Sequence, residues 1–190
     1  EKDIVWSFSG VRPLIDSEES NPSKITRDYK IKMTNDAGCP PLLSVLGGKI
    51  TTYRKLAEYT PDKLAAFFPN MSKAWTAGAK LPGADLEGGS PESHLEALRS
   101  NYPKIDNIYL RSLSRRHGSF TSEVLGDTRT MEDLGTSIGG NLYEREAIYL
   151  KEREWANLPD DILWRRTKVG VHLSPEDRHK AEETLVDIQI

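Results

Sequence analysis

The stretch LGGKITT, positions 46–52, gathers groups that could act on an anion. Two glycines let another molecule approach the backbone closely. A helical pattern opens at Thr51, and a helix start presents unpaired N–H groups with roughly half a positive charge. Lys49 adds a full charge. Such a corner suits a phosphate or the edge of a cofactor ring that gains negative charge, and it equally suits a plain tight turn. It lacks the longer glycine spacing of a phosphate-binding loop ending in Lys-Ser/Thr, and it is not a GxGxxG fingerprint.

Two arginines lie in the same half of the chain. Arg27 sits in the apolar row of SKITRDYKIKM (23–33), where Ile25, Tyr29, Ile31 and Met33 share its side of an alternating pattern. Its guanidinium either snorkels to an edge or points into a partly dry pocket, where a carboxylate or phosphate is the best geometric match. Arg12, in SGVRP, follows a strand-like run, and surface charge is its simplest reading. If Arg12, Arg27 and Lys49 converge, they form a trap for a dianion. No Ser-His-Asp or Cys-His arrangement is present. His94 and His117 read as surface or cap residues, and Arg115-Arg116 as a solvated helix face. One cysteine, Cys39, and four scattered histidines give no zinc spacing. Any chemistry must therefore be carried by a cofactor.

The elements that position these groups follow from periodicity. DIVWSF (3–8) is rich in strand formers, and residues 16–23 read as a solvent loop. The alternation of 23–33 predicts a strand, NDAGCPP (35–41) a turn, and LLSVL a second strand beside the first. From Thr51 the chain is helical; at Thr60-Pro61-Asp62 the helix kinks or a second one starts, running to Phe68. Residues 76–91 are dense in glycine and proline and mark a boundary. Helices are then expected over about 90–100 and 104–117, in a short piece ending near Gly126, over 142–157, from Pro159 and from Ser174. In the 142–157 helix, Leu142, Ala147, Ile148, Leu150 and Trp155 supply the apolar surface. The fold class is α+β: a strand-rich part over 1–75, a linker over 76–90 and a small all-helical domain over 91–190.

The 190 residues are 37% hydrophobic and 29% charged, with net charge −3. No excess of Lys and Arg is present to displace counterions, so nucleic acid is excluded as a general partner. A lone cysteine fits a reducing compartment. No apolar run approaches the ~20 residues of a membrane span, and no signal peptide opens the chain. An opening inside a strand-like pattern suggests a piece of a longer protein.

Four motifs in order, VWSFSGVRPLID, ITRDY, LLSVLGGKITTYRKLAE and DDILWRRTKVG, resemble the C-terminal part of FAD-dependent (aerobic, respiratory) glycerol-3-phosphate dehydrogenases. The tail LWRRTK resembles the bacterial members. The resemblance implies a remnant of a flavin- and substrate-binding α/β domain followed by a helical domain. It implies oxidation of sn-glycerol 3-phosphate to dihydroxyacetone phosphate, with hydride passing to FAD and electrons to membrane quinone. Arg12 and Arg27 match the family's substrate-holding arginines. Lys49 matches a lysine close to flavin and substrate, assigned here as catalytic. Gly48, Lys49, Ile50 and Thr51 match the segment touching the flavin's pyrimidine edge. The family's GxGxxG segment and its proposed catalytic histidine have no counterpart in this chain. The fragment alone is thus expected to be inactive and to hold FAD weakly or not at all.

The resemblance further implies a cytoplasmic protein, peripheral on the inner face of the bacterial membrane. Exposed strand edges could pair two copies as a homodimer. The helical domain is expected to pack against the flavin domain, with Trp155 and Trp164 as candidate anchors. A competing reading takes 91–190 as a non-catalytic interaction module, with Arg12, Arg27 and Lys49 as ordinary surface charges. A third is a phosphate-binding domain without redox chemistry.

Overall fold

Strand β1 (Tyr29–Thr34) pairs antiparallel with β2 (Leu42–Gly47), from Tyr29 opposite Gly47 to Thr34 opposite Leu42. A computed structural model supplies this description for residues 3–11, 13–15 and 28–190. The period-two pattern holds over the first turns of the ladder: Tyr29 and Ile31 are half-buried, while Lys30 and Lys32 are exposed. The turn between the strands closes with Cys39 N–H donating to Asp36 O. The upstream part of the alternation, 23–27, lies outside the described residues.

After β2 a single 3₁₀ turn, Ile50–Thr52, leads into α1 (Tyr53–Leu64). Of the two readings at Thr60-Pro61, a kink or a second helix, the second helix is not formed. Pro61 lies inside α1 and removes one interior hydrogen bond without ending the helix. A further 3₁₀ turn, Ala65–Phe67, follows directly. Arg54 and Glu58, one turn apart on α1, hold the segment that comes later. The Arg54 guanidinium donates to Thr76 O and Ala79 O, each at 2.8 Å, and Thr76 Oγ1 donates to Glu58 Oε1 at 2.6 Å. Residues 7–79 make one compact unit; residues 3–6 with 80–190 make the other.

The strand expected over 3–8 is not formed. Residues 4–8 belong to no ladder, and Ile4, Val5 and Phe8 are exposed. Strand propensity produces a strand only where a neighbouring strand takes up the backbone groups. In the second unit Trp6 instead stacks on Trp164, with ring centroids 5.5 Å apart and planes nearly parallel. The Arg178 guanidinium lies 5.0 Å from the Trp164 ring centroid.

Helices α2 (Pro91–Asn101) and α3 (Asn107–His117) begin as their caps dictate. Ser90 Oγ accepts from Ser93 N–H, with Pro91 in the first turn. Asp106 Oδ1 accepts from the N–H groups of Ile108 and Tyr109, so α3 starts after Asp106 and not at Lys104. Short α4 (Thr121–Leu125) and a 3₁₀ turn, Met131–Leu134, come next. A small hairpin, β3 (Ser137–Gly139) with β4 (Leu142–Tyr143), then takes up the first two residues of the helix expected over 142–157. Its turn takes left-handed φ at Gly140 and Asn141, which glycine and asparagine tolerate. The remaining elements are α5 (Glu144–Glu154), a π-helical stretch Asp161–Arg166, a 3₁₀ turn Val169–Val171 and α6 (Pro175–Asp187).

Two apolar clusters make the core of this unit. One gathers Leu98, Tyr109, Leu110, Leu113 and Leu125; the other gathers Leu142, Leu150, Ile162, Leu163, Trp164 and Leu185. Tyr149 on α5 packs against both. Trp164 is buried in the second of these clusters, whereas Trp155 is not. Trp155 ends α5 in the left-handed conformation and is 82% exposed, and Ile148 is also exposed. The helix stops one residue before the tryptophan, and the reversal turns its ring away from the apolar stripe.

Candidate functional site

The corner between β2 and α1 is built from consecutive left-handed glycines, Gly47 at φ +70° and Gly48 at φ +109°. A Cβ on Gly47 would fall 3.1 Å from Ile15 Cγ1 and 3.2 Å from Asp28 O; one on Gly48 would meet only Tyr29 Cβ, at 3.4 Å. Gly47 is therefore needed for close packing as well as for its φ, whereas Gly48 leaves its outer side open. Lys49 then runs extended, at φ −123° and ψ 144°, before the chain coils.

The coil closes on Lys49 itself. Its carbonyl accepts from Thr52 N–H at 3.1 Å and from Thr52 Oγ1 at 3.0 Å. The N–H groups of Ile50 and Thr51 stand at the head of the turn and have no acceptor among the described residues. The first turn of α1 carries no acidic side chain. Lys49 Nζ lies 3.3 Å from Asp28 Oδ1, in a pair in which both side chains are well exposed. Such a pair holds little energy and leaves the ammonium free to exchange partners.

The arrangement fits an anion or an electron-rich ring edge: open backbone at Gly48, two N–H groups with no acceptor among the described residues, and one ammonium on a short extended segment. It fits the cofactor that the sequence suggests as an edge contact made by Gly48, Lys49, Ile50 and Thr51. Arg12 and Arg27 lie outside the described residues, so the convergence of three cations is taken up below as a proposal.

In the helical unit, the two histidines read from sequence as surface or cap residues are buried, and His94 Nε2 donates to Gly118 O at the end of α3. His94 and His117 are 4% and 7% exposed. Arg116 reaches Glu146 in a two-pronged contact: Nε donates to Oε1 and Nη2 to Oε2, each at 2.6 Å. His117 Nε2 donates to Glu146 Oε1 at 2.8 Å, and Glu146 has no solvent exposure. The signal available in sequence is Glu146 itself, which precedes Leu150 by one helical turn on the same face as Ala147. The nearby Tyr109 hydroxyl is buried without a partner among the described residues, and burial first, then the Glu146 charge, raises its ionisation far above the ordinary phenol range.

No family model matches the chain. In comparison with known proteins, it is similar to a segment of dehydrogenases named for phosphorylated polyols. Aerobic glycerol-3-phosphate dehydrogenase of Escherichia coli strain K12 is 43% identical over 185 residues, covering 97% of this chain and 37% of the relative. Glycerol-3-phosphate dehydrogenase of Pseudomonas aeruginosa is 47% identical over 176 residues, covering 93% and 34%. D-erythritol 1-phosphate dehydrogenase of Brucella abortus is 42% identical over 177 residues, covering 93% and 35%. The chain spans about a third of the length of these relatives.

Proposed function

We propose that this chain is the C-terminal part of a flavoprotein that oxidises sn-glycerol 3-phosphate to dihydroxyacetone phosphate and delivers electrons to a membrane quinone. On this reading 1–75 completes the FAD- and substrate-binding domain, 76–90 is a linker and 91–190 is the helical domain. The whole protein sits peripherally on the inner face of the membrane. No helix among the described residues is long and apolar enough to cross a membrane, which is compatible with that placement. The observation that supports the reading most is the 43–47% identity to glycerol-3-phosphate dehydrogenases along nearly the whole chain.

FAD supplies hydride acceptance when bound. The chain's own residues prepare the surroundings. Lys49 and the N–H groups of Ile50 and Thr51 keep positive potential beside the ring edge where negative charge accumulates. They are fixed beforehand by the glycine corner and by the Thr52 bonds to the Lys49 carbonyl. Arg12 and Arg27 hold the substrate phosphate, a task suited to planar guanidinium groups.

The test uses the full-length protein. Anaerobic glycerol 3-phosphate should bleach its flavin absorption. Lys49→Met should lower kcat by about 10²-fold with flavin retained, and Arg27→Ala should mainly raise KM. A full-length preparation without flavin bands, or with bands that substrate leaves unchanged, would reject the proposal. The Brucella relative supports a second substrate, D-erythritol 1-phosphate. The same titration with that compound decides between the two polyols.

A further inference from the structure

A cavity of about 660 Å³ opens on the helical unit beside α3. Its wall carries Arg111, Arg115, Arg116 and His172, and no carboxylate. In a chain of net charge −3, this is a local concentration of one sign. Arg116 is already committed. Its Nε and Nη2 bind Glu146, and its Nη1 donates to Ser112 Oγ at 2.6 Å.

Arg111 and Arg115 are different. They stand one helical turn apart on α3, so both guanidinium groups leave the same face. Neither has a hydrogen bond or an ion pair among the described residues, and both are exposed. Two nearby acids are taken: Asp106 caps α3, and Glu146 is saturated by Arg116 and His117. Glu92 lines an adjoining cavity with both arginines but makes no ion pair with either among the described residues. Like charges at this spacing weaken a helix, so packing gives no reason for the pair. Around them, Ser112 accepts from Arg116 and keeps its own proton to donate, His172 offers an exposed ring, and Ile108 and Val169 supply an apolar side.

We propose that Arg111, Arg115 and His172 form a binding site for a phosphoryl dianion carried on a compact organic group. Two unpaired guanidinium groups match the charge of a phosphate monoester, about −1.5 to −2 near neutral pH. Each presents a donor fork that fits phosphoryl oxygens. A single carboxylate would leave one of the two cations uncompensated. The apolar side formed by Ile108 and Val169 gives the organic group a surface to rest on. This site lies wholly within the helical unit and does not depend on the role of Lys49.

The test titrates the 190-residue chain with inorganic phosphate at constant ionic strength, following arginine side-chain N–H resonances. Saturable shifts are expected at Arg111 and Arg115, well beyond those from chloride. The Arg111→Gln/Arg115→Gln variant should bind about tenfold or more weakly, with its helix content unchanged by circular dichroism. Lys49→Met should leave the two arginine shifts as they are, which separates this site from phosphate held at the glycine corner. Phosphatidylcholine vesicles with and without phosphatidic acid distinguish the sources. A response to free phosphate assigns a soluble ligand. Binding to phosphatidic acid vesicles alone, lost in the double variant, assigns a lipid headgroup. Shifts no larger than those from chloride together with no vesicle binding, or responses that survive the double variant, overturn the proposal.

Discussion

Glu146 shows how one side chain can organise a unit. Its carboxylate has no contact with water, and its two oxygens accept from Arg116 and His117. A buried ion of this kind persists because every lone pair facing a donor is used; removing one partner leaves the other charge uncompensated. Glu146→Ala should therefore destabilise the protein by about 3–5 kcal/mol, read as a lower urea midpoint for the helical unit. A loss below about 1 kcal/mol would show that Arg116 swings out to solvent and that the cluster is not structural. Replacing Arg116, His117 and Glu146 together by apolar residues of similar volume should cost much less than Glu146→Ala alone. The comparison separates the cost of an orphaned charge from the worth of the cluster.

At the scale of elements, the glycine corner sets the direction in which Lys49 leaves β2. Gly47→Ala places a Cβ against Ile15 and the Asp28 carbonyl in a left-handed conformation. The expected cost is about 1–2 kcal/mol, confined to the first unit: faster amide exchange in β1 and β2, with the amides of α3 and α5 unchanged. Protection equal to that of the parent at Tyr29 and Leu46 would mean that the corner relaxes freely. Much of this element was legible in sequence, because Tyr29, Lys30, Ile31 and Lys32 alternate and a turn-rich segment precedes LLSVL. Other elements were not. DIVWSF has strand composition, but a ladder needs a neighbour that local sequence does not name. Hairpin β3–β4 is too short for periodicity to register. The end of α5 depends on Trp155 accepting left-handed φ, which composition does not announce. For the candidate site, the Lys49 corner was readable from Gly-Gly-Lys before a helical pattern. The burial of His94 and His117, and the Arg116 bridge to Glu146, required knowing what packs over them, although Glu146 on the apolar face was a clue.

At the scale of the molecule, the two units differ in kind. Every residue of the two apolar clusters lies between Leu98 and Ile190, whereas β1, β2 and α1 contain no buried residue. A two-stranded hairpin is marginal by itself, since three or more strands or packing against a helix are needed for independent stability. Hydrogen exchange should therefore show β1 and β2 opening at low free energy while Leu110, Leu113 and Leu150 exchange only with global unfolding. The same asymmetry bears on the cofactor. A ligand is held tightly when 70–90% of its surface is enclosed. The corner offers an edge, with Ile50 88% exposed beside Lys49. Purified alone, the chain should be colourless and should not oxidise glycerol 3-phosphate. Adding FAD should leave the exchange of β1 and β2 unchanged, because an edge contact without enclosure gives too little binding energy to order the hairpin. A yellow preparation with flavin in equal proportion to protein would mean that the first unit closes around the cofactor unaided. In that case its exposed apolar residues would have to become protected on binding, which the same exchange experiment would register.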